Sequence, residues 1–76
     1  MFITVTIEAK KTRFDIKIDM QQKIGESLKV LKTSGIIDNI TIPNYLRSHL
    51  KQSLVSTYKT FYEEGIFSGD VLTIMD

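Results

Sequence analysis

Apolar and polar positions alternate from residue 2 to residue 8, with Ile3, Val5 and Ile7 on one side and Thr4, Thr6 and Glu8 on the other. A period of two is that of a half-buried strand. After the polar stretch Ala9-Lys10-Lys11-Thr12 the alternation resumes, with Phe14, Ile16 and Ile18 set against Arg13, Asp15, Lys17 and Asp19. The short polar link predicts an antiparallel hairpin whose two aliphatic faces share one core. Because the link contains neither Asn-Gly nor Asp-Gly, the expected connection is a four-residue or bulged loop.

The period then changes. Between residues 23 and 32, Ile24, Leu28 and Leu31 recur at i, i+4 and i+7, with Val30 on the flank and Lys23, Glu26, Lys29 and Lys32 around the rest of the wheel. This predicts an amphipathic helix of about three turns whose aliphatic stripe belongs to the core. Asp19 or Gln22 is expected to cap its start, and Gly35 to accept a positive φ just beyond its end. Gly25 in the first turn is expected to cost about 1 kcal/mol relative to Ala. Beyond Ile36-Ile37-Asp38-Asn39 and the single proline, Pro43, residues 45–50 alternate weakly: Leu46 and Leu50 match core parity, and Arg47 and His49 point outward. That predicts a third strand. Residues 53–55 predict a short edge strand, residues 58–62 a turn or one helical turn, and residues 65–70 a Gly-rich turn. Residues 71–75 form the last strand, with Leu72 and Ile74 inward.

The order is β-β-α-β-(β)-β, an α+β arrangement. One helix laid across a mixed four- to five-stranded sheet buries its stripe against the first and last strands. With the first strand in the middle of the sheet, its pairing with the last is parallel and uses the long crossover that the helix and middle segment supply. This is the β-grasp, or ubiquitin-like, arrangement, filling residues 1–76 as a single domain.

Composition narrows what such a fold does. At 76 residues, ten Lys/Arg against nine Asp/Glu and 42% hydrophobic residues, the chain has room for one small core. A domain of about 60 residues buries only roughly 60% of the surface its unfolded chain exposes, so its apolar residues must be placed economically. There is no cysteine, which removes disulfide scaffolds, thiolate metal sites and thiol catalysis together. A net charge of +1, seven basic and five acidic groups in residues 1–38 and three and four in residues 39–76 give no concentrated basic footprint. Nucleic acid is therefore not an expected partner. No apolar run approaches the roughly 18 residues of a membrane span, and residues 1–7 lack a basic segment leading into an apolar one. Membrane insertion is not expected, and the expected compartment is the cytoplasm.

Residues 2–75 resemble ubiquitin in layout. The closing block carries the most specific likeness: Tyr62, then Gly65-Ile66, then Gly69-Asp70, then Val71-Leu72-Thr73-Ile74. Ile66 is expected to plug the core under the crossover and Asp70 to serve the turn before the last strand rather than catalysis. Within that superfamily the chain is similar to the small bacterial proteins of the YukD/EsaB type. The features that carry this are a near-equal length, a chain stopping at its last strand, and an Ile16-Lys17-Ile18-Asp19 second strand followed by a short helix. The resemblance implies a cytoplasmic accessory or regulatory factor of type VII secretion, bound to a protein partner among the components of that machine.

Ubiquitin and the sulfur carriers of the class act through a flexible tail ending in Gly-Gly, where a Cβ would clash in the activating enzyme. Here the last strand runs to Met75 with only Asp76 beyond it, so conjugation and sulfur carriage are not expected. A modifier or carrier whose tail lies elsewhere, or an interaction domain that oligomerises through an edge strand, is the alternative. Ubiquitin's apolar binding patch maps by strand order onto Arg47, Thr73 and Met75, with Ala9 or Lys10 in the first loop. With Thr4, Thr6 and His49 beside them, this face is expected to be polar and mildly basic, selecting partners by hydrogen bonds and charge. The expected partner-binding residues are Lys10, Lys11, Arg47, His49, Thr73 and Met75.

No catalytic constellation emerges. His49 is the one histidine, too few for a two-histidine metal site, and Ser48 lies on the opposite strand face. It is expected to be a surface residue. Glu63-Glu64 reads as a solvated pair of charges on a loop, and Gly65 and Gly69 miss the phosphate-binding spacings. No cofactor, metal or enzymatic activity is expected. Lys10, Lys11 and Arg13 form the densest basic cluster, either an ordinary solvated turn or a contact for an acidic group. Tyr45 and Tyr58 are candidates for exposed interface aromatics.

Overall fold

Parity decides how the first hairpin closes. Strands β1 (Phe2–Ala9) and β2 (Thr12–Asp19) pair antiparallel with Ile3 opposite Ile18, Val5 opposite Ile16 and Ile7 opposite Phe14. All six side chains therefore fall on one sheet face. The computed structural model describes residues 1–10, 12–37 and 41–75. Lys11, Asp38, Asn39, Ile40 and Asp76 lie outside the described residues. The ladder reaches Ala9 opposite Thr12, so the connection is two residues, shorter than the four-residue or bulged loop expected.

The helix α1 spans Ile24–Thr33 and buries Ile24, Leu28 and Leu31, together with Ser27. Its expected side-chain cap is absent. The N-cap is Lys23 with no side-chain bond, because the crossover backbone does the work: the Ile24 amide donates to the Lys59 carbonyl at 2.9 Å and the Gly25 amide to the Thr57 carbonyl at 2.8 Å. Asp19 accepts from the Gln21 amide and Gln22 from the Ser27 hydroxyl instead. Gly25 is the residue that lets this happen. A Cβ there would stand 2.9 Å from the Thr57 carbonyl oxygen, closer than side chains tolerate. At the other end Gly35, φ +79, donates to the Lys32 carbonyl as expected of a residue past the helix.

Strands β3 (Tyr45–Ser48), β4 (Ser53–Ser56) and β5 (Val71–Thr73) complete a five-stranded mixed sheet in the order β2-β1-β5-β3-β4. The central pair β1 and β5 is parallel, and β3 pairs antiparallel with both β5 and β4. This is the predicted α+β β-grasp architecture with β4 at one edge. Leu46, Val55, Phe61, Ile66 and Leu72 are fully buried and join the aliphatic faces of β1, β2 and α1 in one cluster. Each such side chain contributes about 1.5–3 kcal/mol by leaving water.

Two readings of the middle segment are corrected. The third strand stops at Ser48, and Leu50, expected in the core, is 62% exposed. Ser48 takes the inward position because its hydroxyl donates to the buried Asp70 carboxylate and accepts the Lys51 amide, which turns the chain out of the sheet. Glu63 is exposed as expected and Glu64 only partly so, but neither carboxylate is a free solvated charge. Glu63 and Thr60 close a reciprocal box, each carboxylate or hydroxyl oxygen accepting the other's amide at 2.9 Å. The Glu64 carboxylate accepts the Ser56 amide at the edge of β4 and lies 3.9 Å from the Lys51 ammonium.

Candidate functional site

The outer face of the sheet gathers the polar residues that alternate with the core. The registers set Arg13 of β2 opposite Glu8 of β1, Glu8 beside Thr73 of β5, Thr73 beside Arg47 of β3, and Arg47 opposite Leu54 of β4. One row thus crosses all five strands. Its bonds are directional. The Thr73 hydroxyl donates to Glu8 Oε1 at 3.1 Å, and Arg13 Nη1 reaches Glu8 Oε2 at 3.5 Å. A hydroxyl has one proton, and that of Thr73 goes to Glu8, so at 3.0 Å its oxygen accepts from His49 Nε2. His49 Nε2 therefore carries a proton and donates it to Thr73.

His49 reaches Thr73 because the strand ends one residue earlier. Its amide donates to the Val71 carbonyl at 3.0 Å, and the following turn is anchored on Asp70. That carboxylate is 1% exposed and accepts from the Leu50 amide at 3.0 Å, the Val71 amide at 2.7 Å and the Ser48 hydroxyl. Asp70 has the structural role expected of it, but its carboxylate serves chiefly the turn after β3, with one bond to the Val71 amide at the start of the last strand.

Arg47, His49 and Thr73 are brought together on this face. Met75, 40% exposed, follows Ile74, whose amide donates to the Glu8 carbonyl at 2.8 Å, and so lies toward the hairpin end of β1 with exposed Lys10. Lys11 falls outside the described residues. Four residues of the surface were not assigned to it from the sequence. Glu8 and Arg13 were legible as outward by alternation, but their bonds to Thr73 and to each other depend on strand order. Leu54 and Leu50 are 52% and 62% exposed on and beside β4; the parity of Val55 pointed to the first, whereas the early end of β3 concealed the second. Tyr45 and Tyr58, the candidates for exposed interface aromatics, are both exposed, with the Tyr58 hydroxyl donating to Asn44.

Arg47 differs from its neighbours. Glu8, Arg13, Thr73 and His49 are each bonded to a neighbour in the row, while the exposed Arg47 has no ion-pair or hydrogen-bond partner among the described residues. A planar guanidinium beside exposed Tyr45 and Leu54 offers bidentate donation to a carboxylate and adjoining apolar contact. Among the described residues no group of three His, Asp or Glu side chains is placed to hold a metal ion, and no helix is long and apolar enough to cross a membrane.

No protein-family profile and no curated protein matches the chain. Solved structures do. The ubiquitin-like domain of the Arabidopsis thaliana protein At2g32350 matches with a TM-score of 0.70 and 23% identity, over 97% of this chain and 76% of that one. The UBL domain of Plasmodium falciparum Dsk2 matches at 0.65 and 16%, over 96% and 97% of the two chains. The EccD5 ubiquitin-like domain from Mycobacterium xenopi matches at 0.62 and 16%, over 99% and 93%. With identities this low, what the similarity establishes is architecture: the chain has the ubiquitin-like β-grasp fold.

Proposed function

We propose that residues 1–76 form one protein-binding domain that acts non-covalently, as a cytoplasmic accessory or regulatory factor of a bacterial type VII secretion system, without enzymatic activity or cofactor. The observation that carries the binding role is the unpartnered Arg47 guanidinium, set between exposed Tyr45 and Leu54 beside a row in which Glu8, Thr73 and His49 are already bonded to one another. Such an arginine gains its partner only when a carboxylate-bearing surface arrives, and an arginine flanked by apolar contacts is the usual composition of an interface anchor. The secretion role is supported by the sequence resemblance to the YukD/EsaB type and by a fold shared with ubiquitin-like domains, that of mycobacterial EccD5 included. Lys10, Lys11, His49, Thr73 and Met75 complete the proposed surface.

The test is capture of the components of a type VII machine by the purified chain and by its Arg47→Glu variant, each checked for folding by circular dichroism. Arg47→Glu is expected to weaken capture at least tenfold, equivalent to about 1.4 kcal/mol. Equal capture by the two proteins rejects this face. Capture of no component by the wild-type chain rejects the secretion role.

A further inference from the structure

The two edges of the sheet are unlike. On β4, the edge amide of Ser56 is taken by the Glu64 carboxylate, and Lys51 reaches the Glu64 carbonyl to hold that segment in place. On β2, no such cover exists among the described residues. The Met20 amide donates to the Met1 carbonyl, while the Thr6 and Ile74 amides donate to the Asp70 and Glu8 carbonyls. These bonds fix the phase of the first ladder: even-numbered residues of β2 bond to β1, and Arg13, Asp15, Lys17 and Asp19 turn their backbone groups outward. The Asp19 carbonyl is used by the Gln22 amide. The amides and carbonyls of Arg13, Asp15 and Lys17 form a three-residue template for another strand.

The side chains of that template alternate in sign. We propose that a second copy of this chain pairs with it, β2 against β2, antiparallel about a two-fold axis through Ile16. In this register Asp15 of each copy faces Lys17 of the other, and Arg13 faces Asp19, giving four opposite-charge pairs. All four residues are odd-numbered, so the outward backbone groups of one strand meet those of the other. Sliding one strand by two residues destroys the match. In one direction Asp15 faces Asp15 and Arg13 faces Lys17; in the other, Lys17 faces Lys17 and Asp15 faces Asp19. A further shift of the first kind pairs Arg13 with Asp15 but carries Lys17 and Asp19 past the end of the partner strand.

Capacity for the extra bonds is present. The Thr6 hydroxyl occupies Asp15 Oδ1 and the Gln21 amide Asp19 Oδ1, leaving the second oxygen of each carboxylate. Arg13 meets Glu8 through one nitrogen, and the Lys17 ammonium lies 5.6 Å from the centre of the Phe2 ring with its donors available. On the inner side the same register stacks Phe14 on Ile18 and Ile16 on Ile16. It also covers a groove of about 420 Å³ between β2 and α1, lined by half-buried Ile16 and by Val30, which is 57% exposed.

Sedimentation of the wild-type chain across micromolar to millimolar concentration, with its single and double charge exchanges, tests the pairing. The wild type is expected to reach a dimer. Asp15→Lys and Lys17→Asp each turn two attractive pairs into two repulsive ones and are expected to weaken the dimer tenfold or more. An equimolar mixture of the two variants restores both pairs and is expected to dimerise again, as is the Asp15→Lys/Lys17→Asp double variant. Recovery in the mixture also shows that each variant is folded. A wild type that stays monomeric at millimolar concentration overturns the proposal, leaving the edge to some other extended segment. Single variants as dimeric as the wild type, or a mixture that stays monomeric, overturn this register.

Discussion

Replacing Asp70 by Ala is expected to remove most of the stability of the domain. Three donors converge on this buried carboxylate: the Leu50 amide, the Val71 amide and the Ser48 hydroxyl. Ala leaves them unpartnered where Ser48 is fully buried and little water reaches. A stranded buried donor costs about 1–3 kcal/mol, so three give about 3–6 kcal/mol after partial relaxation. At roughly 0.05–0.15 kcal/mol per residue, a chain of this size holds about 4–11 kcal/mol in total. The variant is therefore expected to unfold at low urea or to be unfolded in buffer. Asp70→Asn keeps one acceptor oxygen for the two amides and presents an amide group to Ser48, so a loss of about 1–2 kcal/mol is expected. Urea titration followed by circular dichroism measures both. A loss below about 1 kcal/mol for Asp70→Ala, or equal losses for the two variants, would refute the assignment of the turn's stability to these bonds.

Gly25→Ala, which stabilises an ordinary helix interior by about 1 kcal/mol, is expected to destabilise this one by a similar amount, because the new Cβ meets the Thr57 carbonyl and disturbs the helix cap. Its sign in thermal unfolding decides the matter. The Glu63 carboxyl titrates below its ordinary value of 4.5, chiefly because its charged form accepts the Thr60 amide, aided by the Thr60 hydroxyl and by Lys59 and Lys23. A depressed carboxyl stabilises the fold above the unfolded value and loses that contribution as pH falls through the folded one. The stability gap between wild type and Glu63→Gln is accordingly expected to be present at pH 6 and to close below pH 4.5; a gap independent of pH would contradict it.

The strands of the first hairpin and the stripe of α1 were legible because they obey one period over several residues, and burial on one face enforces that period. The reading failed where the backbone is satisfied by distant groups. Leu50 looked like a core residue by spacing, but Ser48 and Asp70 share a hydrogen bond across a separation of 22 residues that ends the strand early. The helix start invited a side-chain cap and received carbonyls from residues 57 and 59. Glu63 and Glu64 have the composition of a solvated loop, and what distinguishes them is the proximity of Thr60 and Ser56 after folding. On the candidate face, the outward direction of Arg47 and Thr73 followed from parity and their place in it from the resemblance to ubiquitin, whereas the donor role of His49 required Glu8 to claim the Thr73 proton.

The proposed face and the proposed edge have a geometric consequence together. A two-fold axis perpendicular to an extended sheet leaves both outer faces on the same side, so a β2-paired dimer presents two Arg47 surfaces in one direction. A partner with two copies of its own acidic site then engages the second intramolecularly, at an effective concentration set by the rigid spacing of the sheet. Lys17→Asp lies three strands from Arg47 in the order of the sheet and touches neither Arg47 nor His49. On this reasoning it weakens capture of a bivalent partner while leaving binding to a single soluble site unchanged. A loss of both would instead place Lys17 in the binding face itself.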